Sequence, residues 1–294
     1  VEQVIKKLFK KINPGVLLSV PYIAHLMLFF VYPVVFSIIL IFHRWDIVTP
    51  MEFVGLKNIE RIFMDEVFLQ AVLNTGIFLV LHIPSQIIIA LFFAVLLNEK
   101  IVARGFFRTL YFLPVVVSGV VVTIIFQQLF SYDDGLFNQL LASISLPQVP
   151  WLVSENWAMP SIAMMATWKN VGLYIILFMA GLQSIPNDLY EAARLDGTNA
   201  WQRFYYVTLP MLNPTMVTVV VLSVIGGFSL FIEPYVMTGG GPMNSTLSAI
   251  LYIYNQAFNF AHMGYAATLG LFFAAIIFTV VAMQRKFVET ELYQ

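Results

Sequence analysis

Residues Pro186 to Pro210, PNDLYEAARLDGTNAWQRFYYVTLP, form a polar island between two long apolar runs. Hydrocarbon tolerates no irregular, unpaired backbone facing lipid, so the chain surfaces here and the flanking runs are separate crossings. Inside the island the pattern predicts two short helices joined by a tight bend. Pro186-Asn187-Asp188 opens the first, with a capping-type side chain followed three residues later by Glu191. Leu189, Ala192, Ala193 and Leu195 give that helix one small apolar face. Asp196-Gly197 ends it, because glycine accepts the left-handed backbone that closes a helix. Thr198 is expected to cap the second helix, which carries Trp201, Phe204, Tyr205 and Val207. Leu209-Pro210 returns the chain to the membrane. Physics alone gives a helical hairpin on a membrane surface.

The rest of the chain agrees with a membrane setting. Of 294 residues 60% are hydrophobic and only 11% charged, more apolar surface than a soluble fold of this length can hide. A crossing helix needs about 20 mainly apolar residues. Six stretches qualify, at about 15–42, 72–97, 107–130, 159–182, 211–236 and 262–284. The expected fold is therefore all-α and polytopic, a single transmembrane domain over 1–294 with the polar loop at 186–210. The first run exceeds a signal-peptide core and shows no cleavage pattern, so it is read as a retained span. Pro21, Pro33, Pro84, Pro114 and Pro214 lie within or near spans, where proline kinks a helix. With no cysteine, disulfide and thiolate chemistry is excluded. A net charge of −1 gives no footing for nucleic acid.

Positive charge predicts the orientation. Lys6, Lys7, Lys10 and Lys11 precede the first span; Lys100, Arg104 and Arg108 separate the second and third. Arg194 and Arg203 lie in loop 186–210, and Arg285 and Lys286 follow the sixth span. On the other side, loops 131–158 and 238–260 have no lysine or arginine, and the first loop has Arg44, Lys57 and Arg61. Both termini and loop 186–210 are thus expected in the cytoplasm. Residues 43–68 mix apolar and charged positions at helical spacing and read as short surface helices. In loop 131–158, Asp133-Asp134-Gly135 is a turn, Trp151 and Trp157 read as interface anchors, and Asn138→Ala is expected to do little. Gly239-Gly240-Gly241-Pro242 marks a tight turn.

Glu191-Ala192-Ala193, then Asp196-Gly197, then Leu209-Pro210, resembles the EAA loop of permease subunits of ABC importers. Further resemblances follow in order: Phe53-Val54-Gly55-Leu56-Lys57-Asn58, Asn74-Thr75, Gly105-Phe106-Phe107-Arg108, Leu113-Pro114 and Thr167-Trp168. Gly181-Leu182-Gln183-Ser184-Ile185-Pro186, Thr238-Gly239-Gly240-Gly241-Pro242 and Gly264-Tyr265-Ala266-Ala267 complete the set, which is most similar to the maltose-type, carbohydrate-uptake branch. Many members carry alanine after the bend glycine; here it is Thr198. The resemblance implies the type I importer permease fold in a plasma or inner membrane. It implies that Glu191, Ala192, Ala193, Asp196, Gly197, Leu209 and Pro210 couple to an ATPase. It implies as partners a second homologous permease, two cytoplasmic ABC ATPase subunits, an extracellular or periplasmic solute-binding protein and membrane lipid. ATP and magnesium would be bound by the ATPase and no cofactor by this chain. The alternatives are an importer permease for another small polar solute, or a self-sufficient secondary transporter, against which stands the lack of an evident internal repeat.

Residues that could carry chemistry are few. There is no GxxxxGK phosphate loop, no HExxH, no GxSxG and no useful carboxylate pair within a span. His25 and His82 sit inside spans and are read as helix–helix hydrogen-bonding groups. Lys169 and Glu233 are intramembrane charges, which must face a cavity or a partner. A hydroxyl-rich solute asks for amides, hydroxyls, charges and flat aromatic faces. Ser118, Gly119, Trp168, Lys169, Asn170, Tyr174, Gly227, Phe228, Phe231 and Glu233 are the candidates for a substrate path.

Overall fold

Among the described residues, five helices are long and apolar enough to cross a bilayer, and a helix pair bent by 96° makes six if it counts as one broken span. The computed structural model describes residues 14–98 and 104–292. Lys6, Lys7, Lys10, Lys11 and Lys100, used above for orientation, lie outside them, as do the side chains of Arg104, Arg285 and Lys286. Two compact units divide the chain, one running to Met64 and including Ile253–Phe272, the other covering Asp65–Tyr252 and the residues from Phe273 on.

In the first unit, α1 (Pro14–Leu26), a π-helical turn (Met27–Val31) and α2 (Tyr32–Ile41) make one span. Within Leu18–Ile41 only 6% of the most apolar window is buried, so the helix is apolar all round and exposes nearly all of that surface. The following stretch differs from the helical expectation. It forms a small hairpin, β1 (His43–Arg44) against β2 (Glu52–Phe53), with His43 opposite Phe53 and Arg44 opposite Glu52. Only then comes one short helix, α3 (Lys57–Ile62). The reason is turn chemistry: Asp46 Oδ1 accepts hydrogen bonds from the Val48 and Thr49 amides and the Thr49 hydroxyl, a local arrangement that competes with helix.

The second unit is built on α4 (Glu66–Asn98), α5 (Arg104–Val116), α6 (Gly119–Leu129), α7 (Leu136–Ser143) and α8 (Glu155–Gln183). α4 and α8 are its most extensively paired helices. Lipid gives helices little hydrophobic reason to associate, so close packing of small residues decides. Ala71, Ala90 and Ala94 on α4 and Ala158 on α8 are fully buried. Gly172 of α8 lies so close to α5 that a Cβ there would collide with the Tyr111 carbonyl oxygen. Two apolar clusters fill the unit, one around Phe78, Phe126, Phe130, Ile162 and Met165, the other around Ala90, Ile175, Phe178, Leu212 and Val219.

The third crossing is not the continuous helix expected over 107–130. α5 and α6 meet at 96°. Pro114 removes one hydrogen bond from the last turn of α5, and Ser118 takes an extended conformation before α6 begins. The loop after α6 also departs from expectation. Asn138 is completely buried. Its amide donates to the Tyr132 and Val149 carbonyls, and its oxygen accepts from the Val149 amide and the Trp151 indole. Trp151 in turn packs on Phe130, Phe137 and Trp157. Asn138 is therefore the centre of this loop, not a neutral surface position, and Trp151 is a packing residue rather than an interface anchor.

Candidate functional site: a polar loop and a polar cavity

Loop 186–210 folds as α9 (Asn187–Leu195), α10 (Ala200–Arg203), a π-helical turn (Phe204–Thr208) and α11 (Leu209–Met211). Its caps differ from the sequence reading in two places. Pro186 is the N-cap of α9 and makes no side-chain cap bond. Asn199, not Thr198, caps α10, in a reciprocal box with Gln202. The Thr198 hydroxyl instead donates back to the Ala193 carbonyl, tying off α9. Gly197 has φ +76°, the left-handed turn that the sequence predicts. Arg203 donates to the Thr198 carbonyl and Tyr190 bonds Thr208, so the two helices are held as one body. Of the small apolar face, only Ala193 is buried; Leu189 is half-exposed and Leu195 is 90% exposed. Glu191, Ala192 and Asp196 are exposed as well. The hairpin thus has a hydrogen-bonded frame and an outward apolar edge that the described residues of this chain do not cover.

The second feature lies inside the unit, where α4 and α8 meet α12 (Asn213–Phe228) and α13 (Ile232–Met237). A cavity of about 290 Å³ is lined there by Lys169, Asn170, Tyr174, Gly227 and Glu233, five of the candidates. Lys169 Nζ stands 3.9 Å from Glu233 Oε1, so the expected polar partner is present. His82, Gln86 and Ser223 also line it, and sequence reasoning did not place them there. His82 bonds the Thr167 hydroxyl, the helix–helix role expected of it. The Gln86 amide donates to Ser223, while its carbonyl oxygen is buried with no partner among the described residues. Such an oxygen attracts a hydroxyl donor.

The other five candidates do not line this cavity. Trp168 packs at a tilt against Phe126 and lines a separate apolar cavity with Leu81 and Tyr111. Phe228 packs edge-on against Phe273, and Phe231 stacks on Tyr235. Ser118 begins α6, and Gly119 lies under Lys169, where a Cβ would meet Nζ at 2.8 Å. Gly227 borders the cavity but also seats Leu79 of α4.

Membrane-length helices with a polar cavity among them suit a membrane permease. The match to known proteins agrees. Residues 63–289 match the model of the family described as binding-protein-dependent transport system inner membrane component, and the chain belongs to that family. It is an ABC importer permease, embedded in a membrane by several spans. It is 40% identical over 261 residues to the lactose transport system permease protein LacF of Rhizobium radiobacter, covering 87% of each chain. It is 39% identical over 280 residues to the arabinooligosaccharides transport system permease protein AraP of Halalkalibacterium halodurans, covering 94% of this chain and 87% of that one. Among solved structures it is similar, with a TM-score of 0.80 and 25% identity, to a chain of a bacterial ABC transporter that imports the acidic polysaccharide alginate, covering 97% and 99% of the two chains.

Proposed function

We propose that this chain is the sugar- or oligosaccharide-conducting permease of its importer, with the path running past the Lys169–Glu233 cavity. The observation that carries the reading is the cavity's lining: an amide, a phenol, an imidazole and two opposite charges surround a space beside a buried, unpartnered carbonyl oxygen. Neutral, hydroxyl-rich solutes are bound by such a mixture of donors and acceptors. The sugars named for the two relatives support the same class. A second homologous permease completes the path, and an extracytoplasmic binding protein delivers the solute. Two ATPase subunits, binding ATP and magnesium, take up the exposed edge of α9, with Glu191, Ala192, Ala193, Asp196, Gly197, Leu209 and Pro210 forming or bracing the coupling element. Both termini and the hairpin face the cytoplasm.

Two measurements test this. Sealed vesicles holding the assembled importer are loaded with ATP, and uptake of a panel of labelled oligosaccharides is compared with that of amino acids and inorganic ions. Uptake of saccharides that stops without ATP is expected; accumulation driven by an ion gradient alone overturns the reading. Because the chain has no native cysteine, Asp134→Cys and Ala200→Cys report orientation. An impermeant maleimide should label the first from outside and leave the second untouched.

A further inference from the structure

Arg44, Lys57 and Arg61 break the charge asymmetry on which the orientation rests, and the structure gathers all three around one cavity of about 770 Å³ within the first unit. Among the described residues none of the three makes an ion pair. Two carboxylates share the lining, Asp46 and Glu52. Asp46 is engaged by its own turn, through the Val48 and Thr49 amides and the Thr49 hydroxyl. Arg61 stands over the Tyr265 ring, its guanidinium carbon 3.9 Å from the ring centre. A guanidinium held over a ring still has five N–H donors, enough to serve an oxygen anion as well.

The cavity is built rather than incidental. The Asn58 amide donates to the carbonyls of Ile41 and His43, fixing α3 against the hairpin. The Met263 amide donates to the Trp45 carbonyl, fixing the hairpin to the start of α14 (Met263–Leu292). Its place along the chain sets its depth. One wall follows directly on the span Leu18–Ile41, and the other, Phe260 to His262, directly precedes the span Met263–Gln284. A site within a few residues of two span ends lies in the headgroup layer, where Trp and Tyr also settle. Partial burial, and then the charges of Arg61 and Arg44, lower the pKa of the neighbouring His262 below the ordinary imidazole value.

We propose that this cavity binds the phosphodiester headgroup of an anionic phospholipid, with Arg44, Lys57 and Arg61 as the phosphate ligands. A lipid is favoured over the acidic surface of a partner protein because the site is concave and adjoins the ends of two spans. The site is separate from the Lys169–Glu233 cavity and does not depend on what that cavity carries.

The test is native mass spectrometry of the full chain released from mixed micelles that contain phosphatidylglycerol, phosphatidylcholine or neither with added inorganic phosphate. The expected result is retained phosphatidylglycerol, with little phosphatidylcholine or phosphate. Each of Arg44→Gln, Lys57→Gln and Arg61→Gln should lower phosphatidylglycerol affinity about fivefold, and the triple variant about a hundredfold, from the attraction of a single basic group to an anionic surface. Glu52→Gln should raise it by about the same fivefold factor, a gain that misfolding cannot imitate. Equal retention by wild type and triple variant overturns the proposal. So does phosphate retained as well as lipid, which marks a free-anion site, or loss of binding-protein association in the triple variant with lipid retention unchanged, which marks a protein-docking surface.

Discussion

Lys169 of α8 and Glu233 of α13 face each other across the polar cavity at 3.9 Å, each side chain only slightly exposed, 16% and 12%. The pair spans helices that are distant in sequence and sits where the chain would otherwise be apolar. A lone charge in such a place costs far more than a matched pair.

Removing one member should therefore harm more than removing both. Lys169→Met or Glu233→Gln alone is expected to destabilise the protein by about 1–3 kcal/mol, the partial exposure keeping the cost below that of a fully buried pair. The double variant should recover at least about 1 kcal/mol of the sum, since contacting residues couple on that scale. Thermal melts of the four proteins in one detergent give the cycle. Strict additivity would mean the charges do not interact.

The bend of the hairpin gives a second test. Gly197 has φ +76° and open space where a Cβ would stand, so the penalty for a side chain there is backbone strain, not collision. Gly197→Asn should be tolerated, because asparagine enters the left-handed region readily. Gly197→Val should cost about 1–2 kcal/mol locally. With Ala193→Trp, which enlarges the one buried residue of α9, it should leave the spans inserted while ATPase retention on the purified complex and uptake both fall. If valine and asparagine behave alike in both assays, the bend does not position α9.

How much of this was legible in the sequence varies with the kind of signal. Long apolar runs place the crossings, and Asp196-Gly197 places the bend, because both are local properties. A charge at Lys169 announces that a partner exists without naming it. The break between α5 and α6 was not legible: Pro114 marks a kink, but the 96° turn falls two residues past the end of α5, at Ser118, a residue with no turn signal of its own. Nor was the lining of the cavity. On helices apolar all round, periodicity does not fix the rotational phase, so Trp168 and Asn170 looked alike although only Asn170 lines it. Gln86, on such a helix, had no pattern to single it out.

Asn138 is a position where the structure reverses the expectation. Alanine there would strip partners from the Val149 amide, the Trp151 indole and the Tyr132 and Val149 carbonyls at once. Each buried polar group left unpaired costs about 1–3 kcal/mol, partly recovered where water enters. Asn138→Ala is expected to lower stability by about 2–4 kcal/mol, the effect of more than one such group. It should also open the loop to proteolysis between Tyr132 and Trp151. An unchanged melting temperature and digestion pattern would show that the loop is held by its aromatic packing alone.

The last prediction concerns protons at His262, which lies outside the spans. Its Nδ1 bonds Gln256 Oε1 at 2.9 Å, and Arg61 and Arg44 stand close enough to oppose a further positive charge. Partial burial acts in the same direction and is the larger cause. Because the folded pKa lies below the unfolded one, the unfolded chain takes up its proton first as pH falls, so this group erodes stability on acidification from the ordinary imidazole range downward. Removing one positive neighbour must favour the imidazolium: Arg61→Gln should raise the His262 pKa toward its ordinary value of 6.5 without reaching it, since burial remains. NMR titration of the histidine-labelled full chain, with His262→Asn to assign the resonance, follows this directly. A pKa that falls or stays put in Arg61→Gln would show that the guanidinium's field does not reach the ring, and would remove one support for the cationic character of that cavity.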